Sequence, residues 1–89
     1  MKFEWDPRKA SGNFRKHGVS FDEAMTVFAD WQSITTPDPD HSEAEERFVI
    51  VGLSSRGRVV VVSHAERGEN VRIISARRAD ARERKTYGR

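Results

Sequence analysis

Three runs of β-branched and apolar residues dominate the second half of the chain: Phe48–Leu53, Arg58–Ala65 and Val71–Ala76. They are parted by Ser54-Ser55-Arg56-Gly57 and Arg67-Gly68-Glu69-Asn70. Glycine-containing connections of that length make hairpins, so the three runs form an antiparallel meander. Val59 to Val62 is apolar at every position, which suits a central strand covered on both faces. Strict alternation sets Arg72, Ile74, Ala76 and Arg78 on one face of the last strand, and Val71, Ile73, Ser75 and Arg77 on the other. Val60, Val62 and His64 share a face of the middle strand. An odd-length loop pairing Glu66 with Asn70 then sets His64 opposite Arg72.

A sheet of this kind needs covering, and the first half of the chain supplies helices. Phe3 and Trp5 alternate with Lys2, Glu4 and Asp6 as a short strand. Asp6 caps a helix with Pro7 at its first position; the helix runs from Arg8 to Lys16 and stops at Gly18, with Gly12 as its weak point. Ser20 and Glu23 have the spacing of a capping box, with Val19 and Ala24 as a staple, and Phe21, Ala24, Met25 and Phe28 recur at helical spacing over Phe21 to Ala29. Trp31 to Thr36 reads as a strand ended by Pro37-Asp38-Pro39-Asp40. The expected core joins Phe21, Met25 and Phe28 to Val49, Val51, Val60, Val62, Ile73 and Ile74, with helices on one face of an antiparallel sheet of four or more strands. The fold class is α+β, as one small domain over residues 1–89.

With 89 residues and a hydrophobic fraction of 36%, the core is thin. There is no cysteine, which removes disulfides and thiolate metal sites. The start lacks the long apolar run of a signal peptide and nothing is long enough to span a bilayer, so a cytoplasmic location is expected, with no membrane role. Sixteen Lys and Arg against fourteen Asp and Glu leave a formal charge of only +2. The signs are segregated: acid gathers in residues 38–46 and base in the last third, so one face can meet nucleic acid. His41 with Asp38, Asp40 and Glu43 lacks any metal-ligand spacing, and no metal or other cofactor is expected.

At the end of the meander a strand hands over to a helix, with Arg77 and Arg78 at the junction and Arg82, Glu83, Arg84, Lys85 and Tyr87 following. Such a cluster can grip phosphates. It can equally be a solvated face, with Asp80 and Arg84 as an i,i+4 ion pair.

Phe3-Glu4-Trp5-Asp6, Asn13, the segment Lys16-His17-Gly18-Val19-Ser20-Phe21-Asp22-Glu23-Ala24, Val27-Phe28-Ala29-Asp30, and Arg72-Ile73-Ile74-Ser75-Ala76-Arg77 followed by Glu83-Arg84 and Tyr87 together resemble the BrnT toxins of bacterial type II toxin–antitoxin modules. The resemblance covers almost the whole chain. It implies a compact fold related to the RelE-type ribonuclease toxins, RNA cleavage that inhibits translation and growth, and neutralisation by a BrnA-type ribbon-helix-helix antitoxin, with operator DNA met only through the antitoxin complex. Trp31 departs from the pattern, since many members carry Pro after the aspartate; the departure bears on the local loop and on the partner surface.

Metal-free RNA cleavage needs the 2′-hydroxyl deprotonated, the phosphate charge neutralised and the leaving 5′-oxygen protonated. Laid over the resemblance, this chemistry selects Arg72 and Arg77 to hold the scissile phosphate through their planar forks. Glu83 or His64 is the base, and Tyr87 donates a proton or stacks on a base. Lys16, His17, Arg78, Arg82 and Arg84 are expected to bind RNA. Each has a structural alternative: a charge on a helix C-terminus for His17, pairing with neighbouring arginines for Glu83, packing of the last helix for Tyr87. Two other function classes stay open, a nucleic-acid-binding regulator that does not cleave and a module that binds only an acidic protein partner. The first would bind RNA or DNA uncut, the second neither.

Overall fold

The structure, a computed structural model, describes residues 1–41 and 45–88, so the middle of the acidic loop expected at 41–45 lies outside the described residues. Among them the order is β1 (Lys2–Glu4), α1 (Pro7–His17), α2 (Phe21–Thr26), a 3-10 turn (Val27–Ala29), β2 (Ile34–Pro37), a 3-10 turn (Pro39–His41), β3 (Arg47–Leu53), β4 (Val59–Arg67), β5 (Asn70–Arg78) and α3 (Ala81–Tyr87). The α+β class is as expected. The strands make one sheet in the order β1-β5-β4-β3-β2. β2 to β5 are antiparallel neighbours, but β1 runs parallel to β5 with Phe3 beside Val71. The sheet is therefore mixed rather than wholly antiparallel. β1 and β5 are joined by most of the chain rather than by a hairpin, so no short turn dictates an antiparallel direction.

Local chemistry sets the helix ends. Asp6 accepts from the Arg8 N–H at 2.8 Å, Pro7 opens α1, and Gly18 closes it at φ 70° with its N–H bonded to the Phe14 carbonyl. Ser20 caps α2 by accepting from the Glu23 N–H at 3.0 Å. The helix tightens to 3-10 geometry at Val27, so the expected Phe21 to Ala29 helix comes in two pieces. The strand expected from Trp31 begins only at Ile34, because Asp30 accepts from the Gln32 N–H at 3.0 Å and turns the chain there, leaving Trp31 88% exposed.

Val19, Phe21, Ala24 and Val27 pack on Ile50, Val60, Val62, Ile73 and Ala76, with Phe3, Trp5, Ala10, Met25 and Phe28 around them. The expected core is corrected in β3. Ile50 lies opposite Val62 on the helix side, whereas Val49 and Val51 lie opposite Ser63 and Val61 on the other face. Phe48 to Val51 is apolar throughout, so its periodicity does not say which parity faces the helices. Gly52 follows on the helix side; a Cβ there would stand 2.9 Å from Val27 Cγ1 and 3.0 Å from Ser33 Cβ.

The β4–β5 hairpin turns at Gly68 and Glu69, with Arg67 opposite Asn70 and Gly68 at φ 64°. The expected pairing of Glu66 with Asn70 does not form. Ser63 pairs with Ser75 and His64 with Ile73, leaving Ile74 as the extra residue of a β-bulge. His64 thus lies opposite Ile73, not Arg72. The bulge also resets the alternation. Arg72 lies opposite Ala65 and Arg77 opposite Val61; these β4 partners are an even number of residues apart and share a face. Arg72 and Arg77, which strict alternation separates, are therefore together on the face away from α1 and α2. For the same reason Ile73 and Ala76 both enter the core, while Ile74 is only half-buried.

Among the described residues no strand lies beside the outer edge of β5 beyond Glu4, and Asn13 of α1 fills that place. Its Nδ2 donates to the carbonyls of Val19 and Ala76 at 2.9 and 2.8 Å, and its Oδ1 accepts from the Ala76 N–H at 3.1 Å. One carboxamide presents a donor and an acceptor to Ala76 as a neighbouring peptide would.

Candidate active site on the open sheet face

The registers arrange the face away from α1 and α2 in rows. Glu4, Arg72, Ala65 and Arg47 lie across β1, β5, β4 and β3; Ser75, Ser63, Val49 and Thr36 form the next row; Arg77, Val61, Val51 and Ile34 form the third. Four residues of rise set the backbones at Ala65 and Val61 about 13 Å apart. Hydroxyls therefore line a floor between an arginine at either end.

Arg77 holds Glu83 with both arms of its fork, Nη1 to Oε1 and Nη2 to Oε2, each at 2.8 Å. Glu83 also accepts from the Asp80 N–H at 2.9 Å while Asp80 accepts from the Glu83 N–H at 2.8 Å. This reciprocal box opens α3. The Asp80–Arg84 ion pair expected from spacing does not form: Asp80 is used as the cap, and Arg84 Nη1 donates to the Ala79 carbonyl at 2.8 Å. The Arg77 guanidinium, ahead of the Asp80 N–H, pulls the Glu83 carboxyl down to about 2. A carboxylate so held is a weak proton acceptor.

At the other end of the floor, Arg72 Nη2 hydrogen-bonds Glu45 Oε1, which lies 3.8 Å from Arg47 Nη2. Glu45 thus lies over two arginines of one row. Arg72 Nε is buried without a hydrogen-bond partner among the described residues.

Tyr87 donates its hydroxyl to Asp30 Oδ2, which also accepts from the Leu53 N–H at 2.8 Å. The bond to Asp30 is the first cause of a raised Tyr87 pKa, and the Leu53 N–H of a lowered Asp30 pKa. The phenol is pinned, and with it the end of α3. Arg82 and Arg84 are exposed on α3. Arg78 lies opposite Val60, on the other face from Arg77, and Lys16 and His17 end α1, also on the helix-covered side.

His64 is set apart from both arginines. It is 1% exposed, edge-on to Phe28 at 4.9 Å and stacked on Phe48 at 5.7 Å. Its Nε2 is 3.8 Å from Glu66 Oε2, and its Nδ1 has no partner among the described residues. Burial pushes its pKa below the ordinary 6.5, outweighing the pull of Glu66. A depressed imidazole contributes stability above the unfolded value that is lost as pH falls, because the unfolded chain then binds a proton the native state refuses. Stability should therefore drop as pH falls through 6.5. His64→Phe, which fills the slot without titrating, should flatten that slope in melts; an unchanged slope would place the pH dependence elsewhere.

A family model described as "Ribonuclease toxin, BrnT, of type II toxin-antitoxin system" matches residues 5–83. The chain belongs to the BrnT family. Among solved structures, the crystal structure of the Brucella abortus ribonuclease toxin BrnT is similar, with a TM-score of 0.70 and 25% identity over 90% of this chain and 97% of that one. No match is found among curated proteins. Membership makes this a chain of a ribonuclease toxin family of type II toxin–antitoxin systems, and such a system implies an antitoxin partner.

Two charged residues of this BrnT-family chain were not legible as a unit in its sequence. Glu23, 5% exposed, accepts from Ser54 Oγ at 2.7 Å and Arg58 Nε at 3.0 Å, and Arg58 Nη2 reaches the Gly18 carbonyl at 3.0 Å. The Arg58 hydrogen bond is the first cause of the lowered Glu23 pKa. The expected capping box at Ser20 and Glu23 is therefore only half made: the backbone of Glu23 serves it, while the side chain ties α2 to the β3–β4 hairpin. The available signal was a carboxylate between Phe21 and Ala24 on an otherwise apolar stripe. Among the described residues no group of three or more His, Asp and Glu side chains is arranged to hold a metal ion.

Proposed function

We propose that this BrnT-family chain is an endoribonuclease that cuts RNA without a metal on the open sheet face. The observation that carries this reading is the Ile74 bulge, which sets Arg72 and Arg77 on one sheet face, away from α1 and α2, with hydroxyls between them. A scissile phosphate entering the Arg77 fork competes with Glu83. Once released, the Glu83 carboxyl regains proton affinity from about 2 towards its ordinary 4.5, and it accepts the 2′-hydroxyl proton as that oxygen attacks the phosphorus. Arg72 and Arg77 neutralise the charge that develops, and the 5′-oxygen leaves with a proton taken from solvent water. Glu83 is the nearer base, since His64 is enclosed on the far side of the sheet.

Cutting RNA would inhibit translation and growth. In this reading the protein is cytoplasmic, in keeping with the lack of any helix long and apolar enough to cross a membrane among the described residues. A BrnA-type ribbon-helix-helix antitoxin neutralises it by covering Arg72 to Tyr87, and operator DNA is reached only through that complex. One observation favours a binding module without catalysis: Glu83 is held by Arg77 and Tyr87 by Asp30, so the acid–base candidates on this face are engaged. Purified protein incubated with RNA in a chelator decides between them. Cleavage that persists supports the ribonuclease, cleavage restored only by added metal removes metal independence, and RNA retained intact supports the binding module. Hydrogen exchange with and without antitoxin tests occlusion, which predicts added protection over Arg72 to Tyr87.

A further inference from the structure

Beside Arg77 the open face is hollow. Where α3 leans over the β2–β3 edge, Ile34, Val51 and the Tyr87 ring wall a largely apolar cavity of about 250 Å³. Glu83 lines it and is also the residue gripped by Arg77, so the mouth opens at the proposed phosphate position; Arg82 is on the rim. We propose that this cavity is the subsite for one unstacked nucleobase of the RNA, the base adjoining the phosphate held at Arg77; the proposal rests on the ribonuclease reading above.

Size, shape and charge all point to that occupant. At roughly 30 Å³ for each liquid water, the space equals about eight waters, suited to one base and too small for a nucleotide with its sugar and phosphate. Single-stranded RNA is recognised by splaying out a base, laying it on an aromatic side chain and hydrogen-bonding its edge. Tyr87 supplies the aromatic wall, and its bond to Asp30 holds the ring in place before any base arrives. Thr36 is exposed and lines the cavity, so its hydroxyl is open to the edge of a base, a contact that an apolar protein side chain would not make. The cations Arg77 and Arg82 beside the apolar walls match a plane joined to an anionic backbone.

Thr36 is an exposed strand residue, so Thr36→Phe can fill the cavity with little strain on the fold. The methyl resonances of Ile34 and Val51 would be followed by NMR as a 2′-deoxy trinucleotide, which cannot be cut, is added to the parent and to the variant. Cleavage of an RNA pool containing every dinucleotide step would be measured in parallel. Shifts of both methyls in the parent but not in Thr36→Phe are expected, with a rise of roughly tenfold in KM, a smaller change in kcat and a relaxed base preference at the cut. Unmoved methyls in the parent overturn the proposal. So does a folded Thr36→Phe protein that keeps the parent KM and base preference, and so does one whose sole defect is failure to bind the antitoxin, which would make the cavity a protein contact. Methyl shifts in a parent protein that does not cut RNA would sink the ribonuclease reading and leave the subsite standing.

Discussion

Arg77→Ala should lose RNA cleavage by about 10²-fold or more while the fold survives, the usual consequence of removing a donor to transition-state charge. The side chain is 44% exposed and hydrogen-bonds Glu83 and the Arg78 carbonyl, so truncation leaves no buried cavity. The cap of α3 also survives, since the exchange between Asp80 and Glu83 does not use Arg77. Glu83 should then titrate well above about 2, because its largest depressing contact is gone. Arg77→Lys should recover part of the activity, as a point charge cannot hold two oxygens in the way a planar fork can. Cleavage rates, circular dichroism and the Glu83 titration belong together. A folded Arg77→Ala protein cutting RNA at the parent rate would move the search to Lys16 and His17.

Asn13→Ala should destabilise the fold by about 3 kcal/mol or more, because three buried backbone groups lose their partner and each orphaned group costs about 1–3 kcal/mol. The loss lies at the join between α1, the start of α2 and the β5 edge. Asn13→Asp should do little better, since a carboxylate there presents oxygens to two carbonyls that now receive N–H groups. Chemical denaturation reads the effect directly. A midpoint within experimental error of the parent would show that water replaces the carboxamide and that Asn13 is not a bridge.

The meander was legible in the sequence because runs rich in valine and isoleucine cannot be soluble helices when hairpin turns bracket them. Both ends of α1 were legible because Asp6-Pro7 and Gly18 have few other uses. What escaped was parity. Phe48 to Val51 is apolar on both sides, and Ile73-Ile74 are identical neighbours, so nothing in residue type marks which is the extra one. Asn13 escaped for a different reason: a polar residue within a helix reads as solvent-facing unless the sheet edge that needs it is known. Pairing of Glu83 with a neighbouring arginine could be foreseen, but its bidentate form and the buried place of His64 depend on strand registers that no local pattern fixes.

The bulge turns chain length into a constraint that composition does not reveal. Arg72 and Arg77 are an odd number of positions apart, so one residue must be left out of the ladder for both to meet the same solvent. Ile74 is the residue left out, so losing it would keep every charge and every cross-strand pair. Ser75 would stay opposite Ser63, Ala76 opposite Val62 and Arg77 opposite Val61, now on a regular strand with the arginines an even number of positions apart. A reversal of faces would come instead from keeping all four intervening residues on a strand without the bulge, which would turn Ala76 outward and Arg77 towards the core. The bulge thus absorbs a one-residue deletion that in a regular strand would exchange the inside of the molecule for the outside.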